Sequence, residues 1–159
     1  MPAQLSLVRY TLAMTVIERS ALLSHPAEQI FDLVADIERY PEFLEGCVGA
    51  DILERKEDTV TASLRLSKAG ISHGFTTCNT LQRPQRMTLT LVEGPFDHFQ
   101  GEWIFRALGD SACKASLRLE FDLARGLAGA AMGKLFDRVA LDLVDAIVRR
   151  AAQQLGQTA

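Results

Sequence analysis

The side chains able to do chemistry are few and scattered. His25, His73 and His98 lie far apart, and none has the spacing of a metal motif such as HExxH. Asp97-His98 places a carboxylate beside an imidazole, the makings of a general base. No serine or cysteine stands in a nucleophile context such as GxSxG to use it. Cys47, Cys78 and Cys113 are odd in number and form no CxxC. They read as reduced thiols, not as a disulfide framework or a zinc site. Glu93 and Asp97 flank the Gly94-Pro95 turn and read as solvated. The sequence therefore assigns no catalytic residue, no metal ligand and no cofactor.

The larger signal is apolar. Phe31, Phe43, Phe75, Met87, Phe96, Phe99, Trp103, Met132 and Phe136 are bulky aromatic or polarisable side chains. Set between a sheet and a helix, they either fill a core or line a cavity for a long apolar ligand. Tyr40, Pro41 and Leu44 belong to a short helical stretch that either lids such a cavity or caps the core. Arg65, Lys68, Arg83, Arg86 and Arg118 would form a basic patch if their strands brought them together. Arg65 and Lys68 are its strongest members. The formal net charge of −3 argues against any wide nucleic-acid surface, and no DNA partner is expected.

These residues must be positioned by two kinds of element. Leu127 to about Leu155 reads as one long helix of roughly 40 Å. Met132, Leu135, Phe136, Val139, Ala140, Leu143, Ile147 and Ala151 fall on one side of it. Lys134, Arg138, Asp142, Asp145 and Arg149 fall on the other. Gly129 and Gly133 sit on the apolar side, leaving room for a ligand or allowing close helix–sheet packing. Nearly everything before this helix reads as strand. Thr15–Leu23 is followed by two short helices, ended by Gly46. Alternating segments then run through Cys47–Arg55, Thr59–Leu66, Ile71–Leu81, Met87–Val92, His98–Leu108 and Ala112–Leu123. Consecutive strands with short turns make an antiparallel meander, whose apolar face only the long helix can cover. The fold class is α+β: a curved antiparallel sheet of about seven strands wrapped on the C-terminal helix. Residues 14–156 form one domain, and residues 1–13 read as a dispensable extension. No apolar run approaches the ~18–20 residues of a membrane span.

Here the residues carry a family likeness. Asp36-Ile37-Glu38-Arg39-Tyr40-Pro41-Glu42-Phe43-Leu44, with Cys47 just after, resembles the D-x-x-x-Y-P-x-F-(L/I) signature of the START-like polyketide cyclase, coenzyme Q-binding and ribosome-association-toxin family. Leu66–Ser72, Gly94-Pro95-Phe96 and Gly101–Phe105 resemble its ribosome-association-toxin (RatA) branch most closely. Glu45-Gly46 departs from the Pro-Trp or Pro-Gly that many members carry after this Leu, so an aromatic rim residue is lacking. The likeness implies the helix-grip (START-like, SRPBCC) fold and two roles. The leading expectation is non-enzymatic binding of ubiquinone or another polyprenyl quinone in the cavity, in support of respiration. The alternative is a toxin that binds the large (50S) ribosomal subunit and blocks subunit joining, with Arg65 and Lys68 as its contact patch. A cyclase using the same cavity is a third. The implied location is cytoplasmic, with transient peripheral contact at the inner membrane surface.

Overall fold

The computed structural model describes residues 4–10 and 14–156, with side chains over 14–126, 130 and 132–156. Seven strands follow the expected alternation: β2 (Thr15–Leu23), β3 (Cys47–Arg55), β4 (Thr59–Lys68), β5 (Ile71–Gln82), β6 (Arg86–Glu93), β7 (Phe96–Ala107) and β8 (Cys113–Leu123). Helix α1 (Ala27–Ala35), a 3₁₀ turn at Ile37–Arg39 and helix α2 (Tyr40–Phe43) connect β2 to β3. Helix α3 (Leu127–Leu155) closes the chain. This is the helix-grip fold.

The meander pairs antiparallel throughout, in the order β2-β8-β7-β6-β5-β4-β3. The last strand, β8, returns beside β2, so the sheet is ordered by a long-range pairing of Thr15–Leu23 with Phe121–Cys113. One strand was not foreseen. Of the segment 1–13, residues 4–10 form β1 (Gln4–Tyr10), paired antiparallel with β2 as an eighth strand. Residues 1–3 and 11–13 lie outside the described residues. At the opposite edge, β3 carries register shifts at Cys47/Gly49 and Ile52/Glu54 and ends in the charged Glu54-Arg55. Bulges and charges of this kind keep an edge strand from pairing with another chain.

The concave face of the sheet is apolar because every second residue points to it. Ile17, Ala21 and Leu23 of β2, and Ala115, Leu117, Leu119 and Phe121 of β8, are buried there. Helix α3 lies across this face, burying Met132, Leu135, Phe136, Val139, Ala140, Val144, Ile147 and Ala151. Gly133 decides how near it comes: a Cβ there would stand 2.6 Å from Leu123 Cδ1. Close helix–sheet packing is thus the reason for this glycine; the side-chain surroundings of Gly129 lie outside the described residues. Helix α1 fills the end of the grip with Ile30, Phe31 and Val34.

Candidate functional site

Between sheet and helix lies an apolar cavity of about 70 Å³. Its floor is the inward register of β4 (Ala62, Leu64, Leu66), β5 (Phe75, Thr77, Asn79), β6 (Met87, Leu89) and β7 (Phe99, Trp103), with Leu119 of β8. Its roof is Phe136, Val139, Ala140 and Leu143 of α3. Ile37, Tyr40 and Leu44 close one side. The space is several-fold below the roughly 300–1,000 Å³ of a drug-sized ligand site. A polyprenyl tail would have to part the helix from the sheet.

Five of the nine sequence-selected residues meet at this cavity: Phe75, Met87, Phe99, Trp103 and Phe136. Phe136 is the hub, edge-on to Phe121 at 4.9 Å, Phe96 at 5.2 Å, and Phe75 and Phe99 at 5.7 Å. The other four do not line it. Phe96 stands behind this cluster, 5.2 Å from Phe99. Phe31 packs edge-on to Phe105, which stacks on Trp103 and so screens Phe31 from the space. Met132 is fully buried one helical turn before Phe136. Phe43 faces α3, where the Arg150 guanidinium lies 5.1 Å from its ring. Alternation tells which face a residue occupies, but not how far along the grip it stands.

Two polar lining residues escaped the sequence reading. Thr77 and Asn79 are polar, yet only 5% and 2% exposed. The Thr77 hydroxyl donates to Asn79 Oδ1 at 2.8 Å. The signal was present: both share the register of Phe75 on a strand already recognised, so they had to point inward.

The short helical stretch is both wall and cap. Tyr40 and Leu44 line the cavity, whereas Pro41 is exposed and outside it. The Tyr40 hydroxyl donates to the Val34 carbonyl, tying α2 to α1. Burial pushes this phenol well above its ordinary value. Arg150 clamps α2 from the other side, reaching Glu42 at 3.1 Å while covering Phe43. Arg39 and Arg150 together hold the Glu42 carboxyl below its ordinary value. Gly46 follows with φ +91°, and a Cβ there would lie 2.8 Å from Val139 Cγ2. Only glycine combines that backbone with that approach.

The basic patch does not form as drawn. Arg83 is held by Asp32 at 2.7 Å, Arg86 by Glu102 at 3.3 Å, and Arg118 by Glu18 at 3.0 Å. Arg65 and Lys68 are three residues apart on one strand, so they face opposite ways. Arg65 turns to the convex face, against Gly49 of β3. Lys68 instead enters a surface groove with Arg138 and Arg149 of α3, walled also by Glu45, Gly46 and Asp142. Arg149 reaches Asp142 at 3.2 Å. Lys68 and Arg138 have no carboxylate partner among the described residues. Val139 lies between this groove and the cavity, lining both.

Among the described residues, no carboxylate, imidazole, amine or thiol lines the cavity. The three cysteines are free, and burial pushes Cys113 up to about 11. Among the described residues no cluster of three or more His, Cys, Asp or Glu could hold a metal ion, and no helix is long and apolar enough to cross a membrane.

A helix-gripped apolar cavity is the architecture of START-like domains. Residues 23–148 match the family described as polyketide cyclase / dehydrase and lipid transport, and the chain belongs to that family. Within it, the chain is 46% identical over 144 residues to "Ribosome association toxin RatA" of Vibrio cholerae, covering 91% of this chain and 100% of that protein. It is 45% identical over 142 residues to the protein of the same name from Pseudomonas aeruginosa, covering 89% and 99%. Among solved structures, the ZhuI aromatase/cyclase from Streptomyces sp. R1128 superposes with a TM-score of 0.78 at 18% identity, covering 89% of this chain and 96% of that one. At that identity the likeness speaks for the fold alone.

Proposed function

We propose that this protein docks on the ribosome, at the large subunit, and acts there by occupying a surface, not by catalysis. One observation carries this reading: identity of 45–46% with proteins named for ribosome association, running over about nine-tenths of the chain. The cavity fits the same view. At about 70 Å³ it is small for a polyprenyl quinone, and its walls offer no acid–base pair for a cyclase reaction. The groove holding Lys68, Arg138 and Arg149 is the described surface best suited to phosphates, which dominate affinity for RNA. The test is sedimentation of the full chain through gradients with intact ribosomes and with separated subunits. Co-migration with the large subunit, weakened by added salt and by Lys68→Glu with Arg138→Glu, is the expected result. Failure to migrate with either subunit would overturn the proposal.

A second reading, binding of a lipophilic molecule such as a quinone, is favoured by the Thr77–Asn79 pair, a polar feature inside an otherwise apolar wall. Organic extraction of the purified protein followed by mass spectrometry tests it. Stoichiometric quinone would support this reading. An empty extract, with no uptake when quinone is added in vitro, would remove it.

A further inference from the structure

Asn79 combines near-complete burial with incomplete hydrogen bonding. It is 2% exposed, and the Thr77 hydroxyl takes up its Oδ1 at 2.8 Å. Its Nδ2 finds no acceptor among the described residues, yet borders the cavity. A buried amide N–H without a partner is costly, and such groups are rare unless something completes them. Of the other polar lining groups, the Tyr40 hydroxyl is already donated to the Val34 carbonyl, whereas the Trp103 indole N–H, like Asn79 Nδ2, has no acceptor among the described residues. The cavity therefore offers two uncommitted N–H groups in apolar surroundings, and Asn79 Nδ2 is the one whose amide is oriented by a neighbour, Thr77.

We propose that the cavity is a binding site for a neutral, mainly hydrocarbon molecule bearing one carbonyl oxygen, which Asn79 Nδ2 receives. The inference rests on the lipophilic-ligand reading above and names the ligand's chemistry. An anion does not fit, because no cation among the described residues lines the cavity to compensate its burial. A cation does not fit either, because the Asn79 acceptor is engaged by Thr77 and no carboxylate among the described residues lines the cavity. A pure hydrocarbon would leave Nδ2 unpaired. The Thr77 hydroxyl matters as a positioning group: by donating to Oδ1 it turns the amide so that its N–H groups, not its oxygen, face the space.

Two probes of nearly equal shape separate these cases: cyclohexanone, which has the carbonyl, and methylenecyclohexane, which has a carbon in its place. Both are titrated into the isotopically labelled full chain and followed by NMR. The ketone is expected to bind about five- to tenfold more tightly than the alkene, the size of one hydrogen bond, and to move the Asn79 Nδ2 resonances. Asn79→Leu removes the preference while alkene binding persists. Equal affinity of the two probes for the natural chain overturns the assignment but leaves an apolar site standing. So does a ketone preference that survives Asn79→Leu. Binding of neither probe overturns both this inference and the lipophilic-ligand reading. If Asn79→Leu does not fold, the comparison of probes on the natural chain decides alone.

Discussion

Phe136→Ala would test whether the aromatic cluster is what holds α3 on the sheet. The ring is 4% exposed and meets four others edge-on at 4.9–5.7 Å. Truncating a buried phenylalanine costs about 3–5 kcal/mol, from lost transfer energy and from the cavity left behind. Each edge-on pair adds roughly 0.5–1.5 kcal/mol beyond area. The new void would join a space of about 70 Å³ already beneath the ring, so little nearby can collapse to fill it. The upper half of the range is therefore expected, some 4–5 kcal/mol. At about 2–4 °C per kcal/mol for a chain of this size, the midpoint should fall by about 10 °C or more. Urea denaturation followed by fluorescence is the assay. Trp103 is the sole tryptophan and lies in the same wall, so it reports this region directly. An unchanged urea slope with a lower midpoint is the expected pattern. A loss under about 1.5 kcal/mol would refute the reasoning, because a ring so placed could not then be carrying the helix–sheet contact.

Two further perturbations follow from the same contacts. Arg150→Ala removes both the Glu42 ion pair and the cover over Phe43; global stability should drop by no more than about 1–2 kcal/mol, while the Leu44 amide, bonded to the Tyr40 carbonyl, exchanges its hydrogen faster. Unaltered exchange at Leu44 would show that α2 is held by Tyr40 alone. Asp137 has a buried carboxylate oxygen with no partner, and burial raises its pKa. A carboxyl raised on folding favours the native state while protonated and loses that benefit as pH rises through its folded value. Asp137→Asn should therefore raise the melting temperature at pH 7, with the gain shrinking as pH falls from above the ordinary carboxylate value down to it. A gain independent of pH would exclude titration of Asp137 as its cause.

Much of this protein follows from local pattern. Alternation placed seven strands to within about two residues. The 3.6-residue periodicity marked α3 from Leu127, and Gly46 and Pro41 marked the helical connection. The exception at the first edge is physical. Strand β1 is ordered by pairing with β2, a contact whose register Leu7 and Val8 alone could not announce. The signature around Tyr40–Leu44 also led correctly to the family, since those residues make a local turn whose demands are written in adjacent positions.

The site is another matter. Facing direction is a local property of a strand, so sequence could say that Phe75, Met87, Phe99 and Trp103 point inward, and by the same rule Thr77 and Asn79. Proximity is not local. Whether Phe31 or Phe136 borders the cavity depends on where α1 and α3 cross the sheet, which packing at Gly133–Leu123 and Gly46–Val139 decides. Charge behaves likewise: Arg83, Arg86 and Arg118 look alike in sequence, but Asp32, Glu102 and Glu18 reach them only after strands distant in the chain are paired. The sequence by itself determined the helices, seven of the eight described strands, their faces and the family. Tertiary structure alone decided which faces meet, which cations stay unpaired, and how small a cavity the helix leaves, because those depend on distances between segments that no local rule constrains.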